Sequence, residues 1–110
     1  MPKYLFGASL TAEGVAGIVK EGGTARRAAV TAAIENLGGT VEAYYFAFGD
    51  EDVILIADLP DNETAAAFAL ETSASGTVGV ATTVLITPEE VDRARAKRSG
   101  WRAPGAPTDR

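Results

Sequence analysis

The chain opens on an alternation. In "KYLFGASL" (3–10), Tyr4, Phe6, Ala8 and Leu10 fall on one side, the period of a half-buried strand. "TAEGVAGIVKEG" then reads as a helix capped by Thr11 and weakened by its glycines. From Thr24 to Leu37 the period becomes helical. Val30, Ala33, Ile34 and Leu37 sit at i, i+3, i+4 and i+7, and Gly38-Gly39 end the run. Two strand-like runs, "TVEAYYFAF" (40–48) and "DVILIADL" (52–59), flank "GDE" as a hairpin with Gly49 available for a positive φ. Pro60-Asp61 opens an alanine-rich helix, "NETAAAFALETSA", and "TVGVATTVLIT" (77–87) is a fourth, β-branched strand. "TPEE" at 87–90 predicts a capped start, with Thr87 at N-cap, Pro88 at N1 and Glu90 at N3, for the mostly polar helix "EEVDRARAKR".

The order β-α-β-β-α-β plus an added C-terminal helix predicts an α+β, ferredoxin-like fold. Residues 1–92 are read as its one domain and 93–110 as a basic helix end and tail. In the hairpin, Val41, Ala43, Tyr45 and Ala47 alternate with Glu42, Tyr44, Phe46 and Phe48, and Val53, Leu55, Ala57 and Leu59 with Asp52, Ile54, Ile56 and Asp58. Both faces of these strands are largely apolar, so both should be covered. The helices of a ferredoxin-like unit cover one. A second copy packed sheet to sheet is the simplest cover for the other, which predicts a homodimer.

Charge divides the chain. Residues 1–92 carry four basic side chains against fourteen acids, a balance of −10. Residues 93–110 carry six basic side chains against Asp109 alone, a balance of +5. An acidic body argues against nucleic-acid binding, which requires Lys and Arg on phosphates. No apolar run approaches the ~18 residues of a membrane span, and no signal-peptide pattern opens the sequence, so a cytoplasmic location is expected. The chain has no cysteine and no histidine. Disulfides, thiolate nucleophiles, histidine bases, Cys/His zinc sites and histidine-ligated haem are thereby excluded. No metal-ligand spacing stands out, and no cofactor is expected; Asp50, Glu51 and Asp52 read as solvated turn acids rather than a calcium site.

"KEGGTARRA" (20–28) poses an electrostatic question. With Thr24 as N-cap, Arg26 and Arg27 occupy a helix's first turn, where a cation costs roughly 0.3–1 kcal/mol. At 100° per residue, Arg26 lies ~30° and Arg27 ~70° from the centre of the apolar face, so Arg26 points along it toward the sheet rim. Two readings stand. The arginines bind a carboxylate or phosphate ligand, or they pair with a hairpin acid, Asp50, Glu51 or Asp52. Tyr44 and Tyr45 point to opposite sheet faces, and Tyr4 can join one of them, as core or as hydrogen-bond donors to a ligand. The candidate ligand-binding residues are therefore Arg26, Arg27, Tyr4 and Tyr44, with Tyr44 and Asp52 the candidate acid/base groups.

The runs "YYFAFGDEDVILIADLPD", "MPKYLFGASLTAEG" and "KEGGTARRAAV" together resemble the GYD-domain family of small bacterial proteins, over about residues 2–92. Gly49 and Asp52 match the motif that names it, while Glu51 stands where a tyrosine is usual. The resemblance implies a dimeric α+β barrel. By analogy with that wider superfamily, a pocket between helices and sheet is expected, serving a small-molecule binding domain or a cofactor-free isomerase, cyclase or monooxygenase for an acidic or aromatic substrate. A structural or assembly module is the third reading.

Overall fold

The structure, a computed structural model, describes residues 1–107; positions 108–110 of the basic segment lie outside the described residues. The elements are β1 (Lys3–Leu10), α1 (Ala12–Glu21), α2 (Gly23–Asn36), β2 (Thr40–Phe46), β3 (Val53–Asp58), α3 (Asn62–Ala74), β4 (Val78–Leu85) and α4 (Pro88–Ala94). The four strands form one antiparallel sheet in the order β2-β3-β1-β4. This is the ferredoxin-like plan with an added C-terminal helix, as the patterning predicts. Tyr4 faces Ala57 and Val84, and Phe6 faces Leu55 and Thr82, which sets one continuous apolar face under the helices.

Local chemistry explains the element ends. Thr11 caps α1, its side chain accepting from the Gly14 N–H. Asp61 caps α3 by accepting from the Thr64 N–H, and Thr87 and Glu90 complete the reciprocal capping box of α4. α2 ends in a Schellman turn. Gly38 takes a φ of 84°, its N–H donates to the Glu35 carbonyl, and the Gly39 N–H donates to that of Ile34.

Three expectations need correction. The cap of α2 is Gly22 and not Thr24. Gly22 has a φ of 88° and serves as the end of α1 and the start of α2 at once, so no linker separates the two helices. The Arg26 N–H therefore donates to the Gly22 carbonyl, inside the helical ladder. Second, β2 does not alternate evenly. A bulge between Val41 and Ala43 shifts the register, so Val41, Tyr44 and Phe46 share one face, and Ala43 and Tyr45 the other. Third, Gly49 does not have a positive φ. The hairpin closes as a longer loop, with the Ala47 N–H donating to the Asp52 carbonyl, so no tight primed turn is required.

The core lies between the sheet and α2 and α3. Tyr4, Phe6, Ile34, Leu55, Ala57, Leu59, Ala65 and Phe68 form its buried cluster, with Val30, Ala33 and Leu37 of α2 packed against it. The Phe6 and Phe68 rings meet edge to face. Beyond β4 the character changes. Every residue from 88 to 102 is exposed, and α4 buries nothing. The radius of gyration is 18.3 Å and the long axis 64 Å against 29 Å for the next. A compact chain of this length has a radius near 13 Å. The C-terminal segment is an arm that leaves the body.

Candidate functional site

The helix layer does not fill the whole sheet. At the end where β1 finishes and β4 begins, a cavity of about 370 Å³ opens between the sheet, α1, α2 and α3. Small side chains make the room. Ala8 lines its floor, Gly14 and Gly17 its α1 wall, and Ala29 and Ala33 its α2 wall. Phe6, Leu55 and Phe68 close its inner end. Gly14 is needed for close approach, because a Cβ there would run into the Thr77 backbone carbonyl. That contact, with the Thr11 N–H donating to the Thr77 carbonyl at 2.9 Å, fixes α1 to the start of β4.

The polar groups gather at one side. Arg26 reaches the cavity from α2 and Tyr44 from β2, and Glu21 of α1 stands beside them. Glu21 Oε1 lies 3.4 Å from Arg26 Nε, in charge contact but outside hydrogen-bond alignment. Arg26 Nε is buried and forms no hydrogen bond. Burial pushes the Tyr44 phenol above its ordinary pKa; nearby Arg26 pulls it down and Glu21 pushes it up again. Tyr44 is therefore a protonated donor at neutral pH, beside a guanidinium with a donor to spare. Glu13 and Glu71 add two more carboxylates to the lining.

Of the residues singled out in the sequence, the structure brings Arg26 and Tyr44 together in this cavity. It places the others elsewhere. Arg27 is exposed and does not line the cavity; it borders a shallow groove with Gly23, Thr24, Phe46 and Tyr44, so Tyr44 lines both. Tyr4 is buried in the core, its hydroxyl donating to Asn62 Oδ1 at 2.6 Å. Asp52 accepts from the Leu10 N–H at 2.8 Å, tying the hairpin to β1. Among the described residues, none of the hairpin acids pairs with an arginine; the acid that meets Arg26 is Glu21. The sequence predicts α1 as a helix but assigns it no part in the site, although the signal for that part was present. Gly14, Gly17, Ile18 and Glu21 recur at helical spacing and share the face that lines the cavity.

Among the described residues, no three His, Cys, Asp or Glu side chains gather as a metal ion would require, and no helix is long and apolar enough to cross a membrane. An antiparallel four-stranded sheet with a one-sided helix layer and a pocket at one end defines an α+β, ferredoxin-like protein. The GYD-domain model matches residues 4–94, and the chain belongs to that family. Searches of curated proteins and of solved structures gave no match.

Proposed function

We propose that the protein is a small-molecule binding domain whose cavity takes a mainly apolar ligand bearing one carboxylate or comparable anion. The observation that carries this reading is the Arg26 side chain, which lines a mainly apolar cavity of about 370 Å³ and whose buried Nε has no hydrogen-bond partner. A pocket of that size suits a small organic ligand. An unmatched buried donor favours an acceptor that reaches it. An incoming carboxylate would take the guanidinium from Glu21, whose side chain is 40% exposed and free to swing into water. Tyr44 would donate a second hydrogen bond. A cofactor-free enzyme is the second reading, favoured by that same protonated phenol beside Arg26, which suits a proton donor to a bound anion.

The test is displacement of 1-anilinonaphthalene-8-sulfonate by octanoate and by octanol, which share an apolar chain and differ in charge. Octanoate should bind more tightly by roughly ten- to a hundred-fold, the worth of one charge-assisted hydrogen bond of about 1.5–3 kcal/mol. Arg26→Ala should erase the difference. If Arg26→Ala lowers the melting temperature and leaves octanoate binding unchanged, the arginine is only the partner of Glu21.

The reading includes a homodimer joined through the sheet face that the helices leave open. Leu5, Ile54 and Ile56 alternate away from the helix layer and are only half-buried, and Tyr45 beside them is exposed. Apolar side chains on an uncovered sheet face favour a second layer.

A further inference from the structure

The arm and the β2–β3 hairpin are complementary in both charge and apolar character, and they stand at opposite corners of the sheet. The arm leaves β4 at Leu85, which faces Lys3 at the start of β1. The hairpin lies beside the other end of β1, where the Asp52 N–H donates to the Ala8 carbonyl. β4 and β2 are also the two outer strands. One chain's arm, which extends away from the body, does not lie on its own hairpin.

Among the described residues, neither feature forms an ion pair within its own chain. From 93 to 107 the arm carries Arg93, Arg95, Lys97, Arg98 and Arg102 and no acid. Its large apolar side chain, Trp101, is 77% exposed, and a run this exposed gains no burial to hold it in place. The hairpin exposes Tyr45 and Phe48 together with Asp50. The carboxylate of Glu51 lies over Gly7, where a Cβ would collide with it, and Glu51 Oε2 is buried without a hydrogen bond. Gly7 alternates with Phe6 and Ala8, so this carboxylate stands on the sheet face away from the helices, the face that also carries Tyr45. The rest of the molecule repeats the asymmetry: an acidic body and a basic arm.

We propose that residues 93–107 of one protomer clasp the β2–β3 hairpin of a second copy of the chain, basic side chains on Asp50 and Glu51 and Trp101 against the exposed aromatic patch. The inference rests on the homodimer reading above and adds a reciprocal arm exchange to it. Sheet pairing brings the partner's hairpin within reach, and the two-fold relation makes each contact twice. Charge complementarity selects the partner's acidic hairpin, and the buried aromatic surface supplies the anchor.

The experiment uses the full chain and two charge reversals. One carries Arg95→Glu, Lys97→Glu and Arg98→Glu; the other carries Asp50→Lys and Glu51→Lys. Sedimentation equilibrium should show that each reversal raises the dimer dissociation constant at least ten-fold. An equimolar mixture should restore wild-type affinity, because in the heterodimer each arm again meets an opposite charge. Trp101 is the chain's one tryptophan, so its emission reports the arm directly; it should shift to the blue on association and lose the shift in either variant. Asp50→Lys alone, at an exposed position, guards against a folding defect in the double hairpin variant. Reversals that weaken association with no rescue on mixing would overturn the proposal, as a general charge effect. A wild-type dimer with a solvent-exposed tryptophan would overturn it too, and leave the sheet dimer standing. A monomer at all concentrations would remove both, while the octanoate titration would still judge the cavity.

Discussion

The two ends of the helix layer differ although the same sheet and the same long helix build both. At the end near Leu59, Tyr4, Ile34, Ala57 and Leu59 are all but inaccessible, with exposures of 0–1%. At the end near Arg26 the layer stands over an open cavity. Polarity does not account for this, since both ends are mainly apolar. Size does. α2 presents Ile34 and Leu37 to the closed end and Ala29 and Ala33 to the open one; β1 presents Tyr4 at one end and Ala8 at the other. Volume withheld at a few positions, with the backbone plan unchanged, is enough to turn a core into a pocket.

The largest effect that probes this contrast belongs to the closed end. Leu59→Ala should cost about 2–5 kcal/mol in urea unfolding, because the removed atoms leave a hole that close-packed neighbours cannot fill. A cost below about 1 kcal/mol would mean that the closed end has slack of its own, and the distinction between the two ends would fall. At the open end the opposite change is the informative one. Ala33→Leu adds three carbons where there is room for them, so stability should stay within about 1 kcal/mol of the parent. Octanoate affinity, measured by the same dye displacement, should fall at least about ten-fold, or 1.4 kcal/mol. A destabilisation of about 1–3 kcal/mol would be the signature of overpacking, and would show that the cavity closes in solution.

Much of this contrast was legible in the sequence and some was not, for reasons that differ by residue. The helical period of Val30, Ala33, Ile34 and Leu37 and the alternation of Tyr4, Phe6 and Ala8 fix which faces meet, because burial imposes those periods. Arg26 was legible as a cation at the rim of the apolar face, and the structure places it at the cavity. Its partner was not. Glu21 is five positions away in sequence but across a helix junction, and only the positive φ of Gly22 brings the two together. A glycine pair reads equally well as a turn, a linker or a helix stop, so the junction is set by tertiary packing. The bulge after Val41 was hidden for a related reason. Every residue from Ala43 to Phe48 is apolar or aromatic, and an alternation without polar positions carries no record of its own phase. That phase decides which tyrosine enters the site.

The smallest expected effect tests whether Tyr44 is sheltered at the open end. Burial is the main reason its phenol titrates above the ordinary value near 10, with Arg26 opposing the shift and Glu21 adding to it. The folded state therefore holds this proton more tightly than the unfolded chain does. Whatever stability this supplies is fully present below the unfolded pKa and is lost as pH rises through the higher folded one. Tyrosinate absorbance near 295 nm, followed through alkaline pH, should show a component that titrates above the ordinary tyrosine value, and Tyr44→Phe should remove that late component. Arg26→Ala should move it later still, since the one lowering influence is gone. Octanoate bound beside the phenol should act in the same direction, because a second negative charge there is disfavoured. If Tyr44→Phe removes no component above the ordinary tyrosine value, water reaches the phenol freely, and the open end is a surface groove rather than a pocket.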